Sequence, residues 1–319
     1  MPTVAVAKPV ETDLKFPPCS FNPQISRFAP PRTARDSMVH DVFSLHKIAG
    51  SSDVKFPFSV KDYQRYVFGD DKLAHQFGTD LAKAFVARGP GRAAQDTNTT
   101  TSNQGLAEDF AVAVLSGYAP TATHRLREHF TAYLNRSLVA NTAAPARKID
   151  IIGTKDGRAV QLTPQASGTD RHHVDGAYLG SRTLIILGDI RTCKTQEDTI
   201  TESLKKLSIE NTVVFIYLAT LDNSTSFAAL SSTLSSIVSP PIKDIDNIAQ
   251  SARFHMTEAF ARYLLGRDYT EFCRFVRVQD DFFARLLVDY AIGGGYYEDE
   301  LYKHNFDFLL WELEARESI

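Results

Sequence analysis

Three uninterrupted apolar runs constrain this chain more than any other feature. Residues 110–115 (Phe-Ala-Val-Ala-Val-Leu), 183–187 (Thr-Leu-Ile-Ile-Leu) and 212–218 (Thr-Val-Val-Phe-Ile-Tyr-Leu) show no alternation of polar and apolar side chains. A strand with one face in water alternates, and a strand covered on both faces does not, so these runs predict strands buried on both sides. Between them the period changes. Leu126, Phe130, Leu134 and Leu138 recur at helical spacing after Pro120, and Ile200, Leu204 and Leu207 do so after the second run. Buried strands alternating with amphipathic helices predict an α/β fold, a parallel sheet wrapped by crossover helices.

The flanks of this core read differently. Residues 1–37 contain Pro2, Pro9, Pro17, Pro18, Pro23, Pro30 and Pro31 with no regular period, which predicts a flexible arm. Residues 38–105 form an N-terminal helical region ending in a polar loop. Within it, Leu73, Phe77, Leu81 and Phe85 mark one amphipathic helix, capped from Gly69-Asp70-Asp71 and stopped by Gly89 and Pro90, and residues 95–104 are the loop. The α/β core is assigned to residues 106–250. Residues 251–319 make a helical C-terminal region whose aromatics, among them Phe254, Phe260, Phe272, Phe275, Phe282 and Phe283, are expected to pack rather than to cage a ligand.

Composition narrows the context without naming a partner. The 319 residues carry a formal charge of -3, so nucleic acid is not indicated. The 3 cysteines, Cys19, Cys193 and Cys273, are odd in number and widely spaced, which speaks against a disulfide framework or a cysteine zinc site. No apolar run is long enough for a membrane span, and a cytoplasmic location is expected.

In open parallel sheets ligands bind beyond the carboxyl ends of the strands, here after Leu115 and after Leu187. The second turn is the richer one: Gly188, Asp189, Ile190, Arg191, Thr192, Cys193, Lys194 and Thr195, then a helix with Glu197 and Asp198 in its first turn. Hydroxyls and free backbone N–H groups at a helix start form an anion site, and an adjacent carboxylate holds ribose hydroxyls or magnesium. An ordinary strand-to-helix turn with Thr195 as N-cap is the simpler reading of the same segment. Elsewhere, His172, His173 and Asp175 look metal-like in composition, but adjacent side chains diverge and a solvated loop is expected. Glu300 and His304 read as a surface pair, and no metal site is assigned.

The second turn resembles the phosphoribosyl-pyrophosphate loop of type I phosphoribosyltransferases, and within that superfamily the ComF-like branch. Asp189, Ile190, Thr195 and Glu197 match the branch's Asp-Asp-Ile-x-Ile-Thr-Gly-[Ser/Thr]-His-Glu pattern. Tyr66-Val67-Phe68-Gly69-Asp70 with Phe77-Gly78, Ser116-Gly117-Tyr118, Val214 to Ala219 and Gly293-Gly294-Gly295-Tyr296 follow in family order. The resemblance implies a type I phosphoribosyltransferase-like parallel sheet flanked by helices. It also implies that Asp189 is the catalytic carboxylate, that Ser116 and Gly117 contact pyrophosphate, and that Arg191, Thr192, Lys194 and Thr195 bind the 5′-phosphate. Arg171 would stand where the family often carries a basic residue.

The departures bear on activity. Gly188 replaces the first acidic residue, Cys193 a threonine, Lys194 the loop glycine and Gln196 the histidine. A glycine there lets the backbone adopt positive φ around phosphate, which costs a lysine about 1 kcal/mol or more. The sequence therefore supports a catalytically degenerate relative that keeps phosphate, phosphoribosyl pyrophosphate or nucleotide binding. An active Mg2+-dependent transferase and a homo-oligomeric structural or assembly subunit stand as alternatives.

Overall fold

A computed structural model of the protein describes residues 40–49, 54–89, 109–155, 158–159, 171–192, 194–221, 230, 233–234 and 237–317. The Pro-rich arm, the polar loop at 95–104 and Cys193 lie outside the described residues. The three apolar runs are strands β2 (Phe110–Ser116), β6 (Thr183–Arg191) and β7 (Val213–Leu221). They join β1 (His40–Ile48), β3 (Arg147–Lys155), β4 (Arg158–Ala159) and β5 (Arg171–His173) in one sheet of order β1-β7-β6-β2-β3-β4, with β5 also paired to β3. The pairs β1·β7, β7·β6, β6·β2 and β2·β3 are parallel, and β4 and β5 run antiparallel to β3.

Successive residues of the central strands feed two separate cores, as strands covered on both faces must. Val112, Val114, Ile185, Leu187, Ile216 and Leu218 face helices α1 (Val60–Val67), α2 (Asp71–Arg88) and α3 (Ala122–Ala140). Ala111, Ala113, Leu184, Ile186, Phe215 and Tyr217 face α4 (Gly176–Leu179) and α5 (Thr195–Lys206). Asp70 caps α2 by accepting from the N–H groups of Lys72 and Leu73, as its sequence suggested.

Helices α6 (Ile242–Ala249), α7 (Glu258–Leu265), α8 (Tyr269–Arg277), α9 (Asp281–Gly293) and α10 (Glu300–Glu317) enclose a third core around Phe260, Phe272, Leu287 and Leu309. The C-terminal aromatics are thus packing residues for the most part. This region is fastened to the sheet through Phe68-Gly69-Asp70. Phe68 is buried in the helical core, His255 N–H donates to Gly69 O at 3.0 Å, and Asp71 N–H donates to Arg253 O at 3.0 Å. Gly69 has φ of 102°, and a Cβ there would lie 2.0 Å from His255 O, so both conformation and space demand glycine.

Four expectations need correction. Residues 40–48, expected within an N-terminal helical region, are strand β1, paired parallel to β7, so the sheet begins ahead of the assigned core. Strand β6 runs through Arg191, so Gly188, Asp189, Ile190 and Arg191 are strand and not loop; their pairing with Tyr217, Ala219 and Thr220 of β7 carries the ladder past the apolar run. Thr195 is the first helical residue of α5 rather than its N-cap, which is Lys194. His172 sits in β5, 6% exposed, beside Ser203, so the expected solvated loop is instead an edge strand with His172 inward and His173 outward.

Candidate functional site

The connections leave β2 toward β3 and leave β6 toward β7, in opposite directions from two neighbouring strands. That arrangement makes the crevice between the ends of β2 and β6 the sheet's topological switch point, where open α/β sheets bind ligands. Pairing of the two strands ends at Ala113 and Ile186. Ser116 and Asp189 each lie three residues further on, where the strands part. The fold thus brings both sequence-derived loops to one crevice.

On the β2 side, Ser116 Oγ lies 3.2 Å from His124 Nε2. The N–H of Thr121 donates to His124 Nδ1 at 3.0 Å, which places the ring proton on Nε2 and makes the histidine a donor to Ser116. Ser116 in turn donates to Gly117 O at 3.3 Å. Burial, aided by the nearby Arg127 charge, holds the His124 pKa below its ordinary value and keeps the ring neutral. A donating imidazole is no general base, so this serine and histidine do not form a nucleophilic pair.

On the β6 side the candidate groups are engaged with the protein itself. Asp189 accepts from Tyr63 Oη at 2.8 Å and from Ile190 N–H at 2.7 Å. Tyr63 comes from α1, and burial together with the Asp189 charge pushes its pKa well above the usual value, so it remains a donor. Arg191 makes a bidentate contact with Glu197, at 2.5 Å from Nε and 2.8 Å from Nη2. Glu197 is fully buried and also accepts from Tyr217 Oη at 2.9 Å. The Arg191 guanidinium therefore neutralises an internal carboxylate.

Gly188 lies under the side chain of a neighbouring strand. Tyr217 on β7 is its register partner, and the Tyr217 ring covers it so closely that a Cβ at 188 would lie 2.6 Å from Cε1. Lys194 adopts φ of -83° and ψ of -15°, an ordinary right-handed conformation. The positive φ expected to strain a lysine there does not occur. Lys194 Nζ lies 3.5 Å from Asp198, both exposed, a pairing worth little in water. Thr195 is exposed at the start of α5, which carries no side-chain cap, and Thr192 bridges β6 to that turn.

Sequence reasoning matched Glu197 to the family pattern without giving it a role, and missed Tyr63, His124 and Tyr217. Glu197 carried a usable signal: with Ile200, Thr201 and Leu204 it lies at i, i+3, i+4 and i+7, on the face α5 turns to the sheet. Tyr63 carried none, because nothing local ties α1 to a residue 126 positions away. The Arg171 side chain lies outside the described residues.

No curated protein matches the chain. Among solved structures, a hypoxanthine phosphoribosyltransferase from Staphylococcus aureus aligns in two crystal forms. The orthorhombic form gives 10% identity over 54% of this chain and 70% of that one, at a TM-score of 0.28. The tetragonal form gives 9% over 49% and 77%, at 0.29. A hypothetical protein from Neisseria gonorrhoeae with bound ppGpp aligns at 10% identity over 60% and 96%, with a TM-score of 0.26. Superpositions this loose carry no argument about the site. The family described as ComF-like phosphoribosyltransferase, however, matches residues 39–309, from β1 to α10. The chain belongs to the ComF-like phosphoribosyltransferase family.

Proposed function

We propose that this protein is a degenerate phosphoribosyltransferase relative that does not transfer phosphoribose and retains anion binding at the start of α5. The observation that carries this reading is the Tyr217 ring over Gly188, which fills the space a second carboxylate would need. Two further contacts support it: Asp189 is satisfied by Tyr63 and Ile190, and Arg191 by Glu197. What remains for a phosphate or nucleotide is the uncapped N-terminus of α5 with Lys194, Thr195 and Thr192. Glu197 and Asp198 in the first turn oppose an anion there, so affinity is expected to be modest.

Magnesium belongs to the active-enzyme alternative: the Asp189 carboxylate, which accepts from Tyr63 and Ile190, keeps lone pairs for a cation. No described helix is long and apolar enough to cross a membrane. The test is phosphorus NMR of the protein with phosphoribosyl pyrophosphate, Mg2+ and a panel of bases. No pyrophosphate release is expected, while turnover that disappears in Asp189→Asn would establish the active-enzyme reading instead.

The assembly reading finds support in one place. Val278 and Phe282, 72% and 74% exposed, project from the junction of α8 and α9, and Trp311 on α10 is 56% exposed. Apolar side chains this open suit a contact between copies. Light scattering across a concentration series checks it; a monomer throughout, unchanged in Phe282→Ser, would remove it.

A further inference from the structure

Away from the crevice, the α2·α3 interface brings two histidines together. His75 Nδ1 on α2 and His129 Nδ1 on α3 are 3.2 Å apart, with ring centroids at 4.8 Å. Gly78 makes the approach possible, since a Cβ there would lie 2.7 Å from Leu126 O and 3.0 Å from His129 Cβ. The far side of His129 is anchored: its Nε2 lies 2.9 Å from Asp71 Oδ1, and Arg125 Nε donates to the same oxygen at 2.7 Å. His75 is exposed, so the pair opens to solvent.

We infer that His75 and His129 form a binding site for a divalent transition metal such as zinc. The proton on His129 belongs on Nε2, facing Asp71, which leaves Nδ1 as a lone pair aimed at His75. Without metal, His75 Nδ1–H donates to that lone pair. With metal, the His75 proton moves through solvent from Nδ1 to the exposed Nε2, both Nδ1 atoms coordinate, and no proton is released by the neutral pair. Two imidazole nitrogens about 2.05 Å from a tetrahedral ion stand roughly 3.3 Å apart, close to the spacing already present. Asp71 acts as the outer carboxylate that orients a ligating histidine, a common partner in zinc sites. Because no third ligand converges among the described residues, water or an incoming donor completes the coordination. The inference does not depend on the reading of the phosphoribosyl site.

The experiment titrates tag-free, full-length protein with Zn2+ by calorimetry and with Co2+ by absorbance. One equivalent is expected to bind saturably, and His75→Gln and His129→Gln are each expected to weaken binding by at least about ten-fold, with Asp71→Asn costing about ten-fold through orientation alone. His75→Gln is the decisive variant, since an exposed side chain can be replaced without loss of fold, verified by circular dichroism. Absence of saturable binding up to roughly 1 mM metal would overturn the inference. So would a His75→Gln effect smaller than ten-fold, which would place any bound metal elsewhere.

Discussion

At the scale of single residues, Gly188 and Tyr217 decide more about this protein than the charged groups do. A glycine inside a strand ordinarily weakens it, and here the missing side chain is replaced by a neighbour's ring. Restoring the carboxylate with Gly188→Asp is therefore not a simple reversion. It should destabilise the protein by about 1–3 kcal/mol, the usual range for overpacking a filled site. Urea denaturation measures this, and a double-mutant cycle with Tyr217→Ala should show favourable coupling, because removing the ring makes room for the new side chain. Additive effects in that cycle would mean that Tyr217 is not what closes the position. Glu197 and Arg191 belong to the same story. A fully buried carboxylate needs its counter-charge, so the arginine that sequence suggested for phosphate is held by the fold.

At the scale of elements, the joint between α1 and α2 carries the junction of the sheet and the helical region. The segment Phe68-Gly69-Asp70 sends Phe68 into the helical core, uses Asp70 to cap α2, and receives His255 N–H at Gly69 O. Gly69→Ala should be destructive, since it meets both an unfavourable φ and a 2.0 Å contact with backbone. A loss of at least about 2 kcal/mol is expected, with exposure of the helical core detectable by dye binding. Unchanged stability would show that α2 and α7 are not locked at this point. The same joint explains a stretch that looked like a family signature: its residues are there for docking, and the sequence alone showed only their order.

At the scale of the whole molecule, acid sensitivity follows from histidines distributed across it. His46, His124 and His255 all have pKa values lowered below 6.5, in each case chiefly by burial. A histidine whose folded pKa is depressed binds fewer protons folded than unfolded, so stability is complete above 6.5 and declines as pH falls below it. Urea midpoints should thus fall between about pH 7.5 and pH 5.5, and the decline should be shallower in His124→Asn. A flat profile over that interval would contradict the burial of these rings. Asp71 acts in the same direction at lower pH: its depressed pKa lends stability that is present above the ordinary value of 3.8 and is lost as pH falls further.

Sequence alone determined the class of fold and pointed to the end of the sheet where the candidate site lies. Strands β2, β6 and β7 were legible because burial on both faces demands continuous apolar runs, and α2, α3 and α5 because their apolar residues recur at helical spacing. The strands β1 and β3 were not legible. In β3 the exposed Asp150 separates the buried Ile149 and Ile151, and in β1 most side chains are only partly buried, so neither forms a continuous apolar run. The occupants of the candidate site were decided by tertiary structure. Asp189 finds Tyr63, Glu197 finds Arg191 and Tyr217, and His75 finds His129 only once separate elements are packed together. Local pattern reports which face of an element is buried, and long-range packing decides which polar groups on that face satisfy one another.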